Sequence, residues 1–413
     1  MKPGIVFVIN YFYPDYASTG QLMTELCLHL QRDFDITVIA ARPENGTAGP
    51  EGGKRIAESR LEGIKILHIK LPKVDKTNKI SRLRYVAAYF FYAVYLLLRQ
   101  KRPQLIYTIS QPPILGGLIG SIGKALKRSK HIYNIQDFNP EQAESIGFMK
   151  NRFLFAAARW LDTLNCRYAD HIITVGQDMK ETLIGRLRRE TNHYSVINNW
   201  TNEQDIVPLP KDHPGVAALI RRHGWEGKFI VMYSGNLGLY YDLENLIAIT
   251  PAFRHCKDLL FVFIGDGAVK KRMVDYVQKN GMEEQVRFLP FLPKEELKHS
   301  LNAADLHLVV NQKGIKGVSV PSKIYGVMAA GKPILGVLEQ GSEAERLIHE
   351  SGCGVVVEPQ DYEAVKRRLG ELYRTDRDRL RLLGLQGRSY LEKHLRRDIS
   401  LEKYRNLLLS LQK

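Results

Sequence analysis

The chain is poor in cysteine. Its four, Cys27, Cys166, Cys256 and Cys353, stand singly with no C-x-x-C spacing, so neither a disulfide framework nor a cysteine zinc site is expected. That usage fits a reducing compartment. Also lacking is an apolar run of the ~20 residues that a membrane-spanning helix needs. The opening MKPGIVFVINYFYP reads as a strand entering a turn, without the charged, apolar and cleavable regions of a leader, so no export signal and a cytoplasmic location are expected. No G-x-G-x-x-G follows that strand with an acid ~20 residues on, which argues against a dehydrogenase. There is no zinc-finger spacing, aromatic RNA-binding signature or basic zipper, so a nucleic-acid partner is not expected. Low-complexity segments and short tandem repeats are absent too.

Acidic residues are also in deficit. Against 60 Lys and Arg the chain has 44 Asp and Glu, a formal charge of +16, which implies an anionic partner. Much of the excess brackets one apolar run: Lys70, Lys73, Lys76, Lys79, Arg82 and Arg84 precede Tyr85–Leu98, and Arg99, Lys101 and Arg102 follow it. The run can lie in the headgroup plane of a membrane with its basic flanks on anionic lipid. It can equally be a buried crossover helix with solvated charged ends.

With 413 residues, 44% of them apolar, the chain is longer than one hydrophobic core usually serves, and two domains are expected. Apolar runs alternate with helix-like segments almost throughout, the pattern of doubly wound parallel sheets. Strands are expected at Ile5–Asn10, Ile36–Ala40, Ile64–Ile69, Leu105–Ile109, His131–Ile135, His171–Val175 and Tyr194–Ile197. The polar, Pro-rich stretch from Asn198 to Pro214 reads as a linker. The alternation then restarts with strands at Phe229–Tyr233, Leu260–Ile264, Val286–Leu289, Leu306–Val310, Pro333–Val337 and Gly354–Val357. These give an N-terminal domain over 1–200, a second over 201–390 and a terminal helix over 391–413 that returns to the first, with a cleft between the two sheets.

Ligands of open α/β sheets bind beyond the C-terminal ends of the strands, so the residues after each strand are the candidates. Tyr233-Ser234-Gly235-Asn236-Leu237-Gly238 follows the first strand of the second half and precedes a helix expected over Leu243–Ile249. Its glycines let backbone approach an anion, and it also suits an ordinary tight turn. Ile264-Gly265-Asp266-Gly267 ends the next strand on the same rim. Lys313-Gly314-Ile315-Lys316-Gly317-Val318-Ser319-Val320-Pro321-Ser322-Lys323 leads into a helix, with Pro321 suited to its first turn and Ser319 to its cap. The free N–H groups there would suit a diphosphate, with Lys313, Lys316 and Lys323 as point charges. The one D-x-D, Asp376-Arg377-Asp378, reads as a solvated helix face.

The ordered set of these motifs resembles the GT-B glycosyltransferases of family 4. The set comprises Tyr13-Pro14 and Gly20, the Tyr233–Gly238 and Gly265–Gly267 turns, Ala303-Ala304-Asp305, Met328-Ala329-Ala330-Gly331-Lys332-Pro333 and Ser351-Gly352-Cys353-Gly354. It spans essentially the whole chain and is most similar to bacterial members that build exopolysaccharide, capsule or O-antigen, in the manner of colanic acid transferases. The resemblance implies two Rossmann-like domains facing across a cleft and retaining transfer from a nucleoside diphosphate sugar, UDP-linked, to a polyprenyl-diphosphate-linked saccharide. It implies no metal, and a peripheral position on the inner face of the membrane.

The implied donor site takes Gly20, Gly235, Asn236, Gly265, Asp266, Lys313, Ser322 and Lys323, with Lys323 on the leaving diphosphate. The sequence also departs from the family pattern. Two glutamates common in family 4 fall on Val318 and Gly326, and the usual arginine and lysine of the phosphate turn fall on Asn236 and Tyr241. The ribose would then turn to Glu343 or Glu345, and the donor sugar is expected to be modified, as a deoxy or acetamido sugar. After the fifth strand, Asp137 can orient an acceptor hydroxyl or take its proton, with Asn139 and Glu141 beside it, or else cap the next helix. Ser18 or Thr19 would cap the helix that Gly20 and Gln21 open. The alternatives are a nucleotide-sugar epimerase or phosphorylase on the same fold, and an inactive nucleotide-binding subunit.

Overall fold

The computed structural model describes residues 2–15, 18–42, 55–73, 78–145, 147 and 151–412, leaving out the side chains of Ser18 and Lys79. Lys76 lies outside these residues. The chain divides into two units. The first is Met1–Glu144 and Met149–Asn198 with Ser400–Lys413, and the second is Ser145–Phe148 with Asn199–Ile399.

In the first unit the strands are β1 (Gly4–Val8), β2 (Asp35–Ala41), β3 (Ile56–Leu61), β4 (Ile64–Ile69), β5 (Leu105–Ile109), β6 (Lys130–Ile135), β7 (His171–Thr174) and β8 (Tyr194–Val196). They form one sheet in the order β3-β4-β2-β1-β5-β6-β7-β8. The helices are α1 (Ser18–Leu30), α2 (Lys79–Arg99), α3 (Leu115–Lys127), α4 (Asn139–Ser145), α5 (Arg152–Tyr168) and α6 (Asp178–Leu187). Central strands are buried on both faces, as a parallel sheet covered by helices requires; all five residues of β5 are buried. Ile5 pairs with Ile36 on one side and Leu105 on the other.

All seven strands expected here are present, each to within two residues at either end. An eighth, β3, runs antiparallel to β4, with Leu61 opposite Ile64 across a turn in which Glu62 takes φ 50°. Its polar composition, IAESRL, is permitted because an edge strand buries little, and that is why a search for apolar runs passes over it.

In the second unit the strands are β9 (Phe229–Ser234), β10 (Leu259–Ile264), β11 (Val286–Leu289), β12 (Leu306–Val310), β13 (Ile334–Val337) and β14 (Gly354–Val357), all six where the sequence places them. The helices are α7 (Pro214–His223), α8 (Leu243–Leu246), α9 (Lys270–Lys279), α10 (Leu297–Ala303), α11 (Lys323–Ala329), α12 (Glu343–Ser351), α13 (Tyr362–Arg374) and α14 (Arg377–His394). The helix expected over Leu243–Ile249 is shorter than that: α8 gives way to a 3₁₀ stretch, Ile247–Phe253, because Pro251 inside it lacks the amide a longer α-helix would use. The parallel sheet runs β11-β10-β9-β12-β13-β14, so connections reverse direction between β9 and β12. That reversal is where an open α/β sheet offers a crevice.

The Pro-rich stretch after Asn198 is a strap, not a free linker. Trp200 and Ile206 are buried, the Arg388 guanidinium donates to the Ile206 carbonyl (2.8 Å), and Pro208 packs on Gly331. The last helix, α15 (Arg397–Ser410), belongs from Ser400 onward to the first unit. There the Tyr404 hydroxyl accepts from Asn134 Nδ2 (2.8 Å) and Arg405 pairs with Asp33 (2.7 Å).

Helix α14 approaches the Gly331 turn so closely that a Cβ on Gly384 would lie 2.1 Å from the Gly331 carbonyl oxygen. Gly384→Ala is therefore expected to cost about 1–3 kcal/mol through overpacking, seen as a lowered melting temperature. Gly185→Ala in α6, where a Cβ meets nothing within 4 Å, should leave melting unchanged or raise it slightly.

Candidate functional site

In the second unit, the turns after β9 and β10 are built against each other backbone to backbone. Gly235 has φ 148° and Gly265 φ 144°, and a Cβ on Gly265 would stand 1.9 Å from the Gly235 carbonyl oxygen. The Leu237 amide donates to the Asp266 carbonyl (2.9 Å), tying the two turns together. Only glycine allows this approach. The side chains of Asn236 and Asp266 are left exposed on the rim. Lys270, which the sequence reading passed over, reaches the same place: its ammonium donates to the Gly265 carbonyl (3.1 Å). Its position just after the Gly265-Asp266-Gly267 turn was the available signal.

Strands β9 and β12 pair over two residues only, Val231 with Leu306 and Met232 with His307, so their C-terminal ends do not pair with each other. The Lys323 side chain occupies the opening. Its ammonium donates to the Tyr233 hydroxyl (2.9 Å) and lies over the Tyr241 ring (3.9 Å to the centroid) and the Tyr233 ring (4.5 Å). The Tyr233 hydroxyl donates in turn to the Asn236 carbonyl (2.8 Å). Gly235 runs close to this side chain, its Cβ position 3.0 Å from Lys323 Cε, and its φ of 148° is one that side chains disfavour. Among the described residues no carboxylate pairs with this ammonium. Burial beneath the rings pulls its pKa down to about 7. Burial raises the Tyr233 phenol, which stays neutral.

The loop from Lys313 behaves differently from expectation. Helix α11 begins at Lys323 with Ser322 at the cap position, and the Ser322 side chain makes no capping bond. Pro321 lies ahead of the helix, and Ser319 does not cap it, because the helix starts too far along the chain. The amides of Gly314, Ile315 and Lys316 are not free either: all three donate to Glu339 Oε2 (2.9, 3.0 and 2.9 Å). Glu339 follows β13 on the same rim, a reach of more than twenty residues that local spacing does not reveal. Lys313 and Lys316 project into solvent.

Glu343 and Glu345 stand in the first turn of α12, after β13. Glu343 is buried and paired with Arg346 (2.7 Å), while Glu345 accepts from the Gly341 amide (3.1 Å). Both carboxylates are on the correct rim and are engaged locally. Val318 is buried and Gly326 lies within α11, so neither supplies an acid.

In the first unit, Asp137 lies beyond the C-terminal end of β6. Ser110, just after β5, accepts from the Gln136 and Asp137 amides with its hydroxyl (3.1 and 3.3 Å) and from Asn139 Nδ2 with its carbonyl (2.8 Å). The Asp137 carboxylate accepts from Gln142 Nε2 at 3.5 Å. Glu141 does not present its carboxylate as Asp137 does. It holds Arg186 in a two-point ion pair, and the same guanidinium also pairs with Asp162. Arg186 has a fully buried side chain lying over the Phe138 ring (4.2 Å). Burial opposes its charge, but the two carboxylates outweigh this and raise its pKa. Gly20 sits in the first turn of α1, its Cβ position 3.3 Å from the Tyr11 carbonyl carbon. The helix already includes Ser18 and Thr19, so neither precedes it as a cap; the residues before them lie outside those described.

One face of Tyr85–Leu98 belongs to the core. Tyr89, Ala93, Leu96 and Leu97 are buried at helical spacing in α2, packed with Val6, Ile39 and Ile106. Among the described residues no helix is long and apolar enough to cross a membrane.

Two charges withdrawn from solvent to different degrees, Arg186 fully buried and Lys323 half-buried, predict opposite responses. Arg186→Met strands two carboxylates and should cost about 3–5 kcal/mol. Lys323→Met removes an uncompensated ammonium and should stabilise the ligand-free protein by about 0.5–2 kcal/mol. The sign follows from linkage. Because the folded pKa lies below the unfolded one, the unfolded state binds more protons between about 7 and the ordinary lysine value, so this lysine's penalty fades as pH rises through that window. Thermal melts of both variants across that range check the two directions.

The chain matches the model described as a glycosyl transferase 4-like domain over residues 19–200 and that of glycosyl transferases group 1 over 217–383. WbjE of Pseudomonas aeruginosa, which bears a glycosyltransferase name, is 30% identical over 97% of this chain and 96% of its own. WcaI of Escherichia coli K12, named for colanic acid biosynthesis, is 32% identical over 34% of each chain. Among solved structures, HepE of Anabaena in complex with UDP-glucose superposes with a TM-score of 0.72 at 14% identity, covering 99% of this chain and 100% of that one. The chain thus belongs to the glycosyltransferases, with the GT-B arrangement of two Rossmann-like α/β domains.

Proposed function

We propose that the protein transfers a hexose, with retention of configuration, from a UDP-linked donor to a polyprenyl-diphosphate-linked saccharide at the inner face of the membrane. The observation that carries the donor half is the Lys323 ammonium, held between Tyr233 and Tyr241 at the sheet's crevice with no carboxylate beside it. A half-buried cation lacking its counter-charge is a preorganised partner for a leaving diphosphate. In this reading the backbone at Gly235, Asn236, Gly265 and Asp266, with Lys270, allows the phosphates to approach closely. Ser322 and Lys313 flank them, and no metal is called on. Glu343 or Glu345 meets the ribose by exchanging its present local bond for one to the ligand.

Asp137 orients the acceptor hydroxyl, with Asn139 holding its loop. In a front-face displacement the departing phosphate oxygen takes the hydroxyl proton, so Asp137 need not be a strong base. The positions of Val318 and Gly326 leave the donor sugar without the usual carboxylate partners, which favours a deoxy or acetamido sugar. WcaI, named for colanic acid biosynthesis, supports a saccharide acceptor, and HepE, solved with UDP-glucose, supports the uridine donor.

The test is a thermal-shift screen of nucleoside diphosphate sugars, followed by turnover with a lipid-linked acceptor. A UDP-sugar should raise the melting temperature; if no nucleotide does, the reading fails. Lys323→Ala should lose that response and about 10²–10³-fold in kcat. Because the ammonium titrates near 7 in the free protein, UDP-sugar affinity should weaken as pH rises through that value, and Lys323→Arg should flatten the profile. A chelator should leave turnover unchanged. Release of free sugar isomer from donor alone would mark an epimerase instead.

A further inference from the structure

Helix α5 is built inside out. The residues it buries are Asp162, Asn165 and Cys166. Outward it presents Phe153, Ala156, Ala157 and Trp160, spaced i, i+3, i+4 and i+7 and all exposed. Phe153 is 89% exposed and Trp160 64%. The polarity of the inner face has a cause: Asp162 serves the buried Arg186 and accepts from the Tyr133 hydroxyl (2.9 Å), and Asn165 Nδ2 donates to the Ile114 carbonyl (3.0 Å). Nothing in that network requires aromatic side chains on the other side.

The start of α2 repeats the arrangement. Asn78 caps α2 by accepting from Ile80 and Ser81, and Asn151 caps α5 by accepting from Phe153 and Leu154. In each case the capped turn exposes large apolar residues: Ile80 and Leu83 on α2, Phe153 and Leu154 on α5. Both helices run back toward the start of the next strand, so these turns stand at the C-terminal edge of the sheet, the edge that carries Asp137. Helix α3 packs against both. The three helices contain four, two and three basic residues respectively, and their one acid is the buried Asp162.

We infer that the exposed apolar face of α5, with the capped first turns of α2, seats the protein on an anionic lipid surface. Aromatic and aliphatic side chains enter the headgroup boundary, and the surrounding arginines meet lipid phosphate. A second copy is disfavoured as the occupant because it would bring basic surface onto basic surface. The inference rests on the transferase reading only for its purpose, since a lipid-borne acceptor must be met at the bilayer. Within Tyr85–Leu98 the exposed residues are Phe91 and Tyr95, and that segment contributes these two at most.

The chain reports its own docking. Of its three tryptophans, Trp200 and Trp225 are buried (4% and 2% exposed) and Trp160 is not. The full-length protein should float with vesicles of equimolar phosphatidylcholine and phosphatidylglycerol, with a blue shift of tryptophan emission. It should not float with phosphatidylcholine alone, and added salt should weaken binding. The double variant Phe153→Ser, Trp160→Ser should lose at least about tenfold in partition while melting as the wild type does. Trp160→Phe should float yet show no blue shift. Absence of flotation on the anionic vesicles, or flotation undiminished in the double variant, overturns the inference. So does a wild-type dimer that the double variant renders monomeric. The assay contains neither nucleotide nor acceptor, so its outcome and that of the transferase test are independent.

Discussion

The rim of the second unit depends on a lysine ammonium that has been given rings instead of a carboxylate. Two cation–π contacts contribute on the order of 0.5–2 kcal/mol each, and the Tyr233 hydroxyl adds one hydrogen bond. These keep Lys323 in place without offsetting its desolvation, which pulls its pKa down to about 7. The neighbouring sequence follows from that placement. Gly235, at φ 148°, lies against the lysine's terminal carbons, and Gly265 must lack a Cβ so that the second turn can lie on the first. Tyr233 is held by its bond to the Asn236 carbonyl. The motif that looks like a glycine-rich phosphate turn is thus also the socket for a lysine arriving about ninety residues later.

A few residues away the opposite condition holds. Glu339 saturates three successive amides of the loop after β12, making that loop an anion site with its anion already supplied. The exposed Lys313 and Lys316 add only screened, solvated charge. The electrostatic field of the rim is therefore concentrated at Lys323 and not spread along the Lys313–Lys323 segment.

How far the sequence carries can be judged from these same residues. Thirteen of the strands are legible because parallel strands covered by helices are mostly apolar, and β3 is missed because its polar sequence, on an edge, carries no apolar run. Turns after strands are legible because their glycines are. What spacing could not show is long-range pairing: Glu339 reaching back to Gly314, Arg186 clamping Glu141, and Tyr241 supplying the ring that takes the place of an acid. A helix-period reading also fails on α5, whose apolar stripe faces outward. Periodicity reports which residues share a face, and packing decides where that face points.

The two units handle buried charge in contrasting ways, and the contrast separates structure from site. In the first, Arg186 is over-satisfied, with two carboxylates, one aromatic ring and no exposure. Such a network is costly to open and fixes the geometry of α4, α5 and α6 together. It withdraws Glu141 from chemistry while leaving Asp137, four residues earlier, on a loop tethered through Ser110. In the second, Lys323 is under-satisfied, and the protein bears that penalty at a sheet crevice where no packing demands it. A charge held away from solvent that packing does not need and no counter-ion neutralises is stabilised most by the arrival of an anion, and Lys323 meets that description.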